Sequence, residues 1–121
     1  MGKIERFEDI EAWKKARTLV GGVYEITNNG KFFKDYALRD QIRRAAISIM
    51  LNIAEGFARR TDKEFSQFLF VAHGSLAEVQ SALYIALDQK YIDEVSFKKL
   101  HEDCTEISRM LSGLIKYLRN T

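Results

Sequence analysis

QIRRAAISIMLNIAEGFARR, residues 41 to 60, sets an arginine pair near each end of a stretch that is otherwise mostly apolar or small. The spacing of its apolar residues decides the fold. Leu38 just upstream, then Ile42, Ala45, Ile49, Ile53 and Phe57, recur every three or four positions, which on an α-helix puts them on one face. Ala46, Met50 and Ala54 widen that stripe. No proline occurs anywhere in the 121 residues, so the strongest helix breaker is missing from the whole chain.

The same periodicity extends outward in both directions. Upstream, Ile10, Trp13, Ala16, Val20, Val23 and Ile26 step by three and four and predict a first helix from about Phe7 to Asn28. Asn28-Asn29-Gly30, residue types that tolerate left-handed backbone angles, should end it, with a short loop over Lys31 to Asp35. Downstream, Thr61-Asp62-Lys63-Glu64 has the pattern of a capping box and should open a third helix. Phe65, Phe68, Leu69, Ala72, Leu76, Val79, Leu83 and Leu87 carry that helix to about Gln89. Ser96 is the expected cap of a fourth, whose stripe is Leu100, Cys104, Ile107, Leu111, Leu114 and Leu118. Lys90-Tyr91-Ile92 falls where a turn between helices is needed and does not make a strand. Four amphipathic helices with short connections predict an all-α fold, an antiparallel up-and-down four-helix bundle forming one domain over residues 1–121.

Apolar residues at 46% and charged residues at 30% are a globular balance that excludes a disordered chain. No apolar run comes near the roughly 20 residues of a bilayer span, and the amino terminus lacks the continuous apolar core of a signal peptide. With a single cysteine, Cys104, unable to form an internal disulfide, these features imply a cytoplasmic chain without a membrane partner. The net charge of +2 is small but unevenly spread. Residues 1 to 63 hold 13 Lys and Arg against 9 Asp and Glu, while the remainder hold 6 against 8.

Catalytic chemistry finds little footing. His101 and Cys104 stand three apart on one helix face, but zinc needs further ligands and no second pair has matching spacing. Cys104 lies on a buried stripe, His73 is isolated, and Gly21-Gly22 inside a helix does not resemble a phosphate-binding loop. Asp93-Glu94 and Glu102-Asp103 read as solvated faces. The expectation is a chain that is not an enzyme, with no catalytic residue, metal or cofactor.

The arginines are the informative feature. Arg39, Arg43 and Arg44 lie in the first turns of the second helix and Arg59-Arg60 at its far end, roughly 24 Å away at 1.5 Å per residue. They cannot make one point-like site on a protomer. The planar guanidinium fork suits phosphate and carboxylate alike, so Arg43, Arg44, Arg59, Arg60 and Lys63 are candidate contacts to RNA or DNA, or partners of acids such as Glu55, Glu64 and Glu78. Asn52 and Glu55 bring polar groups to the apolar face and need partners there, the arginines being candidates, unless they contact a ligand directly. Ile47, Met50, Leu51 and Ala54, with Phe70 and Val71 on the third helix, extend beyond the stripe a bundle requires. The excess predicts a second buried surface through homo-oligomerisation.

FEDIEAWKKAR followed by QIRRAAISIMLNIAEGFARRTDKEFSQFLFVAHGSLAEVQ resembles the bacterial 23S rRNA intervening-sequence proteins, and the resemblance runs from Phe7 to about Leu118. Its most specific segments are Phe7-Glu8-Asp9 with Trp13, Gln41 to Ala45, Asn52 to Gly56, Arg59-Arg60 and Gly74 to Glu78. Members of that family often place Pro and Ser where this chain has Met50 and Leu51, so a helix irregularity should be missing here. The resemblance implies a four-helix protomer, assembled in known relatives as a ring-like homopentamer, with no established enzymatic activity. Some members are encoded within insertions in large-subunit rRNA genes. A related branch, the accessory variability proteins of diversity-generating retroelements, binds nucleic acid and a reverse transcriptase through a basic surface. The alternative is an assembly module whose partner is protein alone.

Overall fold

The computed structural model describes residues 4–120. Its helices are α1 (Glu11–Thr27), the five-residue α2 (Gly30–Lys34), α3 (Tyr36–Ala58), α4 (Asp62–Asp88) and α5 (Glu94–Arg119). Each long helix packs on two others, α1 on α3, α3 on α4, α4 on α5 and α5 on α1, which closes a four-sided bundle. Neighbours run in opposite directions: Gln41 near the start of α3 bonds Glu78 late in α4, while Gly56 near the end of α3 lies against Phe65 at the start of α4. The expected all-helical bundle is therefore the observed one, and α3 is unbroken through Met50 and Leu51.

One cluster of buried side chains fills the bundle, with Leu19, Ile42, Leu69 and Ile107, one from each long helix, fully buried. Burial of each such side chain contributes about 1.5–3 kcal/mol. Caps fix where the helices begin. The Asp35 carboxylate accepts from the Leu38 amide at 3.1 Å, and the Thr61 hydroxyl accepts from the Glu64 amide at 3.2 Å. Such caps contribute about 1 kcal/mol apiece. The Glu64 carboxylate accepts from the Thr61 hydroxyl at 3.1 Å, a side-chain bond in place of the bond to the Thr61 amide that a capping box would have.

Three boundaries differ from the sequence expectation. Phe7–Asp9 forms a separate 3₁₀ turn, Ile10 is extended, and α1 begins only at Glu11. Asp9 caps that turn, its carboxylate accepting from the amides of Glu5 and Arg6 at 3.3 and 3.2 Å, and the extended backbone at Ile10 separates the turn from α1. The supposed loop over Lys31 to Asp35 contains α2, anchored by buried Phe32, which stacks on Tyr91 at 5.1 Å. Asp93, not Ser96, caps α5: its carboxylate accepts from the Ser96 amide at 2.7 Å, and that bond holds its pKa below the usual carboxylate range.

α4 also corrects the expectation about apolar length. Between Phe65 and Leu87 its only Asp, Glu, Lys or Arg is Glu78, and among the described residues it is the one helix long and apolar enough to cross a membrane. Within the bundle it packs against both α3 and α5 and buries ten of its residues, the placement of a core helix.

Gly56 sets the closest approach. A Cβ there would stand 2.7 Å from Phe68 Cβ and 3.3 Å from the Phe65 carbonyl oxygen, whereas one on Gly74 would meet nothing within 4 Å. Gly56→Ala should therefore destabilise the fold by about 1–3 kcal/mol through overpacking. Gly74→Ala should stabilise it by up to about 1 kcal/mol through helix propensity. Urea denaturation followed by circular dichroism distinguishes the two signs.

Candidate nucleic-acid interface

The chain reverses between α3 and α4 over Arg59, Arg60 and Thr61. The Arg59 guanidinium is committed to that turn: it bonds the Glu55 carboxylate at 2.9 Å, lies 3.6 Å from Glu64 and covers Phe68 at 5.0 Å. Arg60 holds the turn by adopting a left-handed backbone, φ +69°, and its side chain projects into solvent. Lys63 is exposed one turn further on. Neither Arg60 nor Lys63 has a side-chain hydrogen bond or ion pair among the described residues.

Because α5 runs antiparallel to α4, its C-terminal end lies beside this turn and adds Lys116 and Arg119. Asp62, Lys63, Ser66, Phe70 and Arg119 line a groove. Phe70 and Arg119 continue it into a second hollow walled by His73, Ser112 and Lys116. Arg119 sits 5.9 Å from the centre of the exposed Phe70 ring. His73 ties the two helices together, with Nε2 3.1 Å from the Ser112 hydroxyl and 3.3 Å from that of Ser108. The sequence does not mark Lys116, Arg119 and Phe70 as part of this site, since they join Lys63 only through helix packing. The weak local signal is the pairing of Lys116 with Arg119 in the last turn of α5.

At the opposite end, Arg43 and Arg44 part ways. Arg43 is half-buried and its Nε donates to the Thr27 hydroxyl at 2.8 Å, while its guanidinium covers Tyr24 at 4.5 Å. Thr27, itself buried, donates in turn to the Val23 carbonyl at 2.7 Å. Arg44 is exposed and makes no hydrogen bond or ion pair among the described residues. The five basic residues singled out in the sequence thus form two separate groups, with Arg43 and Arg59 turned to internal contacts and Arg44, Arg60 and Lys63 facing water.

The polar residues of α3 find protein partners. Asn52 Nδ2 donates to the Ser48 carbonyl at 2.8 Å and to its hydroxyl at 2.9 Å, so its partner is not an arginine. Ser48 reaches across to the Ser75 hydroxyl at 2.9 Å, and Glu55 takes Arg59. No buried side-chain nitrogen or oxygen among the described residues lacks a partner. Nor do any three His, Cys, Asp or Glu side chains there assemble to hold a metal ion. His101 stands against Tyr84 and Phe97. Asp103 is buried, contrary to its reading as part of a solvated face; it pairs with Lys99 one turn back on α5 at 3.0 Å and joins α5 to α1 through Lys15 at 3.5 Å, and its charge raises the Lys15 pKa.

With the bundle and its two basic ends in place, a family model for the 23S rRNA-intervening sequence protein matches residues 8–113. The chain belongs to that family. Among solved structures it is similar to a protein of unknown function from the S23 ribosomal protein family of Bacteroides thetaiotaomicron VPI-5482. The TM-score is 0.80 at 24% identity, over 87% of this chain and 98% of that one, a likeness of fold. No curated protein matches.

Burial gives Cys104 a property that can be measured. It pushes the thiol pKa from about 9 to about 12, and the Asp103 carboxylate next to it adds to the rise. The raised value means that the unfolded chain releases this proton first, so the contribution to stability is intact below about pH 9 and is lost as pH climbs toward 12. Wild type should lose stability more steeply than Cys104→Ala between pH 9 and 11 in urea titrations.

Proposed function

We propose that this member of the 23S rRNA-intervening sequence protein family is a non-enzymatic, oligomeric helical protein that binds RNA or DNA. The observation carrying that reading is the groove beside the α3–α4 turn, where Lys63, Lys116 and Arg119, with Arg60 on the adjoining turn, carry no ion pair among the described residues. Several acids of the bundle are engaged elsewhere: Glu11 by Lys14, Asp103 and Glu106 by Lys15, Asp40 by Arg39, Glu55 by Arg59. Exposed cations clustered without an ion pair favour a polyanion, and each phosphate they neutralise releases counterions. Repetition of the groove in a homo-oligomer would add avidity to weak protomer contacts.

The test is a fluorescence-anisotropy titration of labelled structured RNA and of duplex DNA at low and near-physiological salt. Combined Arg60→Gln, Lys63→Gln, Lys116→Gln and Arg119→Gln should weaken binding at least about 10-fold and flatten the salt dependence by about one unit of slope for each phosphate that is no longer neutralised. Affinity unchanged across the set would remove this reading.

A second reading, an assembly module whose partner is protein, is favoured by one specific surface. Leu51 on α3 and Val71 and Ile85 on α4 are exposed, and α4 places the small residues Gly74, Ala77 and Ser81 on its exposed side between Val71 and Ile85. Small residues flanked by branched apolar ones suit close helix packing against another copy. Light scattering at tens of micromolar should give a mass several times that of the 14.0 kDa chain, and Leu51→Glu with Val71→Glu should reduce it. A monomeric wild type would count against both the oligomeric part of the first reading and the second reading whole.

A further inference from the structure

The segment KFFKDYALRDQIRR, residues 31 to 44, alternates aromatic and basic residues, and the fold stacks them. Arg39 lies 4.8 Å from the centre of the Tyr36 ring and 4.7 Å from that of Phe33. Arg43 lies 6.0 Å from Phe33 and 4.5 Å from Tyr24. The order in space is therefore Tyr36, Arg39, Phe33, Arg43, Tyr24, a ladder of rings and guanidinium planes across the corner formed by α1, α2 and α3. All three rings stand open to water, Tyr36 at 62% and Phe33 and Tyr24 at 41% each.

Both rungs between the rings are locked. Arg39 donates from Nε to Asp40 at 2.9 Å and from Nη1 to the Phe33 carbonyl at 3.0 Å, and Arg43 is held by Thr27. Rings braced in this way have already lost their rotamer freedom, so stacking a ligand on them carries little further ordering cost. Three exposed aromatic rings would be an apolar liability on a surface with nothing to cover them.

Charge narrows what covers them. Residues 24 to 44 hold five Lys or Arg against Glu25, Asp35 and Asp40. Asp35 is spent on the Leu38 amide and the Tyr91 hydroxyl, and Asp40 on Arg39. Lys31, Lys34 and Arg44 stand exposed around the rings without an ion pair among the described residues. Phe33 is bracketed by the two guanidinium groups, and the outer faces of Tyr36 and Tyr24 at the ends of the ladder, with unpaired cations beside them, match a flexible polyanion with accessible bases, in which every base offers a face to stack and every linkage a phosphate. A duplex hides its base faces and cannot use the rings.

We propose that the Tyr36–Phe33–Tyr24 ladder binds unpaired nucleotides, making this corner a single-strand site distinct from the groove at the other end of the bundle. The inference rests on the nucleic-acid reading and adds the class of strand and the second location. The probes are 10-nucleotide single-stranded RNA and DNA of one sequence carrying 2-aminopurine, with a blunt duplex of that sequence as comparison.

Wild type should bind the single strand and quench the 2-aminopurine, with Tyr36→Ala or Phe33→Leu weakening binding about 5- to 50-fold and relieving the quench. Duplex affinity should stay within about twofold. Tyr36 is the first residue of α3 and well exposed, so circular dichroism of Tyr36→Ala should match wild type. RNA bound over DNA, or both alike, supports the site and tells whether the 2′-hydroxyl is read.

Wild-type single-strand affinity and quench in both variants would overturn the inference, as would a change in oligomeric mass without any strand binding. Binding to the duplex but not the single strand would overturn it while leaving the nucleic-acid reading standing. Binding to neither would defeat both.

Discussion

The contact between α3 and α4 at Gly56 is the constraint on which the basic turn depends. Phe65 and Phe68 occupy the space a side chain would take, so the two helices approach at backbone distance just before the chain reverses. A reversal this tight leaves three residues between the helices and forces Arg60 into a left-handed conformation that most side chains avoid. Arg59, pinned by Glu55 and Glu64, then closes the turn from outside. The location of the unpaired cations follows from backbone packing, with their own chemistry playing no part in placing them.

Arginine has two roles in this bundle, separated by whether an acceptor lies within reach. Arg39, Arg43 and Arg59 each meet a carboxylate, a hydroxyl or a carbonyl and an aromatic ring, and their guanidinium groups brace junctions between segments. Arg44 and Arg60 extend from the same helix and its turn with no such acceptor. A doublet such as Arg43-Arg44 splits because neighbours on a helix point about 100° apart, so only one faces the adjacent α1.

The helices were legible in the sequence because apolar spacing recurs along every long element and no proline interrupts it, although in α1 the marked Trp13, Val20 and Ile26 are only partly buried and Ala12, Leu19 and Thr27 fill the core instead. The core residues of α3, Ile42, Ala45, Ile49 and Ile53, are those the periodicity marks. What escaped was local or tertiary. The extended backbone at Ile10 separates the Phe7–Asp9 turn from α1, and α2 is too short at five residues to show a period. Both Asp93 and Ser96 are good capping types, and only the 2.7 Å bond from the Ser96 amide decides between them. The site was half legible: a sequence displays which residues are basic, but whether Arg43 meets Thr27 or solvent depends on a residue sixteen positions away. Lys116 and Arg119 join Lys63 across more than fifty positions for the same reason.

The hydroxyl pair Ser48–Ser75, extended by Asn52, sits inside an otherwise apolar helix contact. Apolar surfaces can slide past one another by a turn at modest cost, since one methyl neighbour substitutes for the next. The Ser48–Ser75 bond cannot follow, because a shift of one turn separates its two hydroxyls and leaves buried Ser75 facing hydrocarbon, whereas the Asn52 bonds to Ser48 lie within α3 and move with it. The hydroxyl pair thus acts as a key that favours one axial alignment of α3 on α4 over the others its leucines and isoleucines would accept.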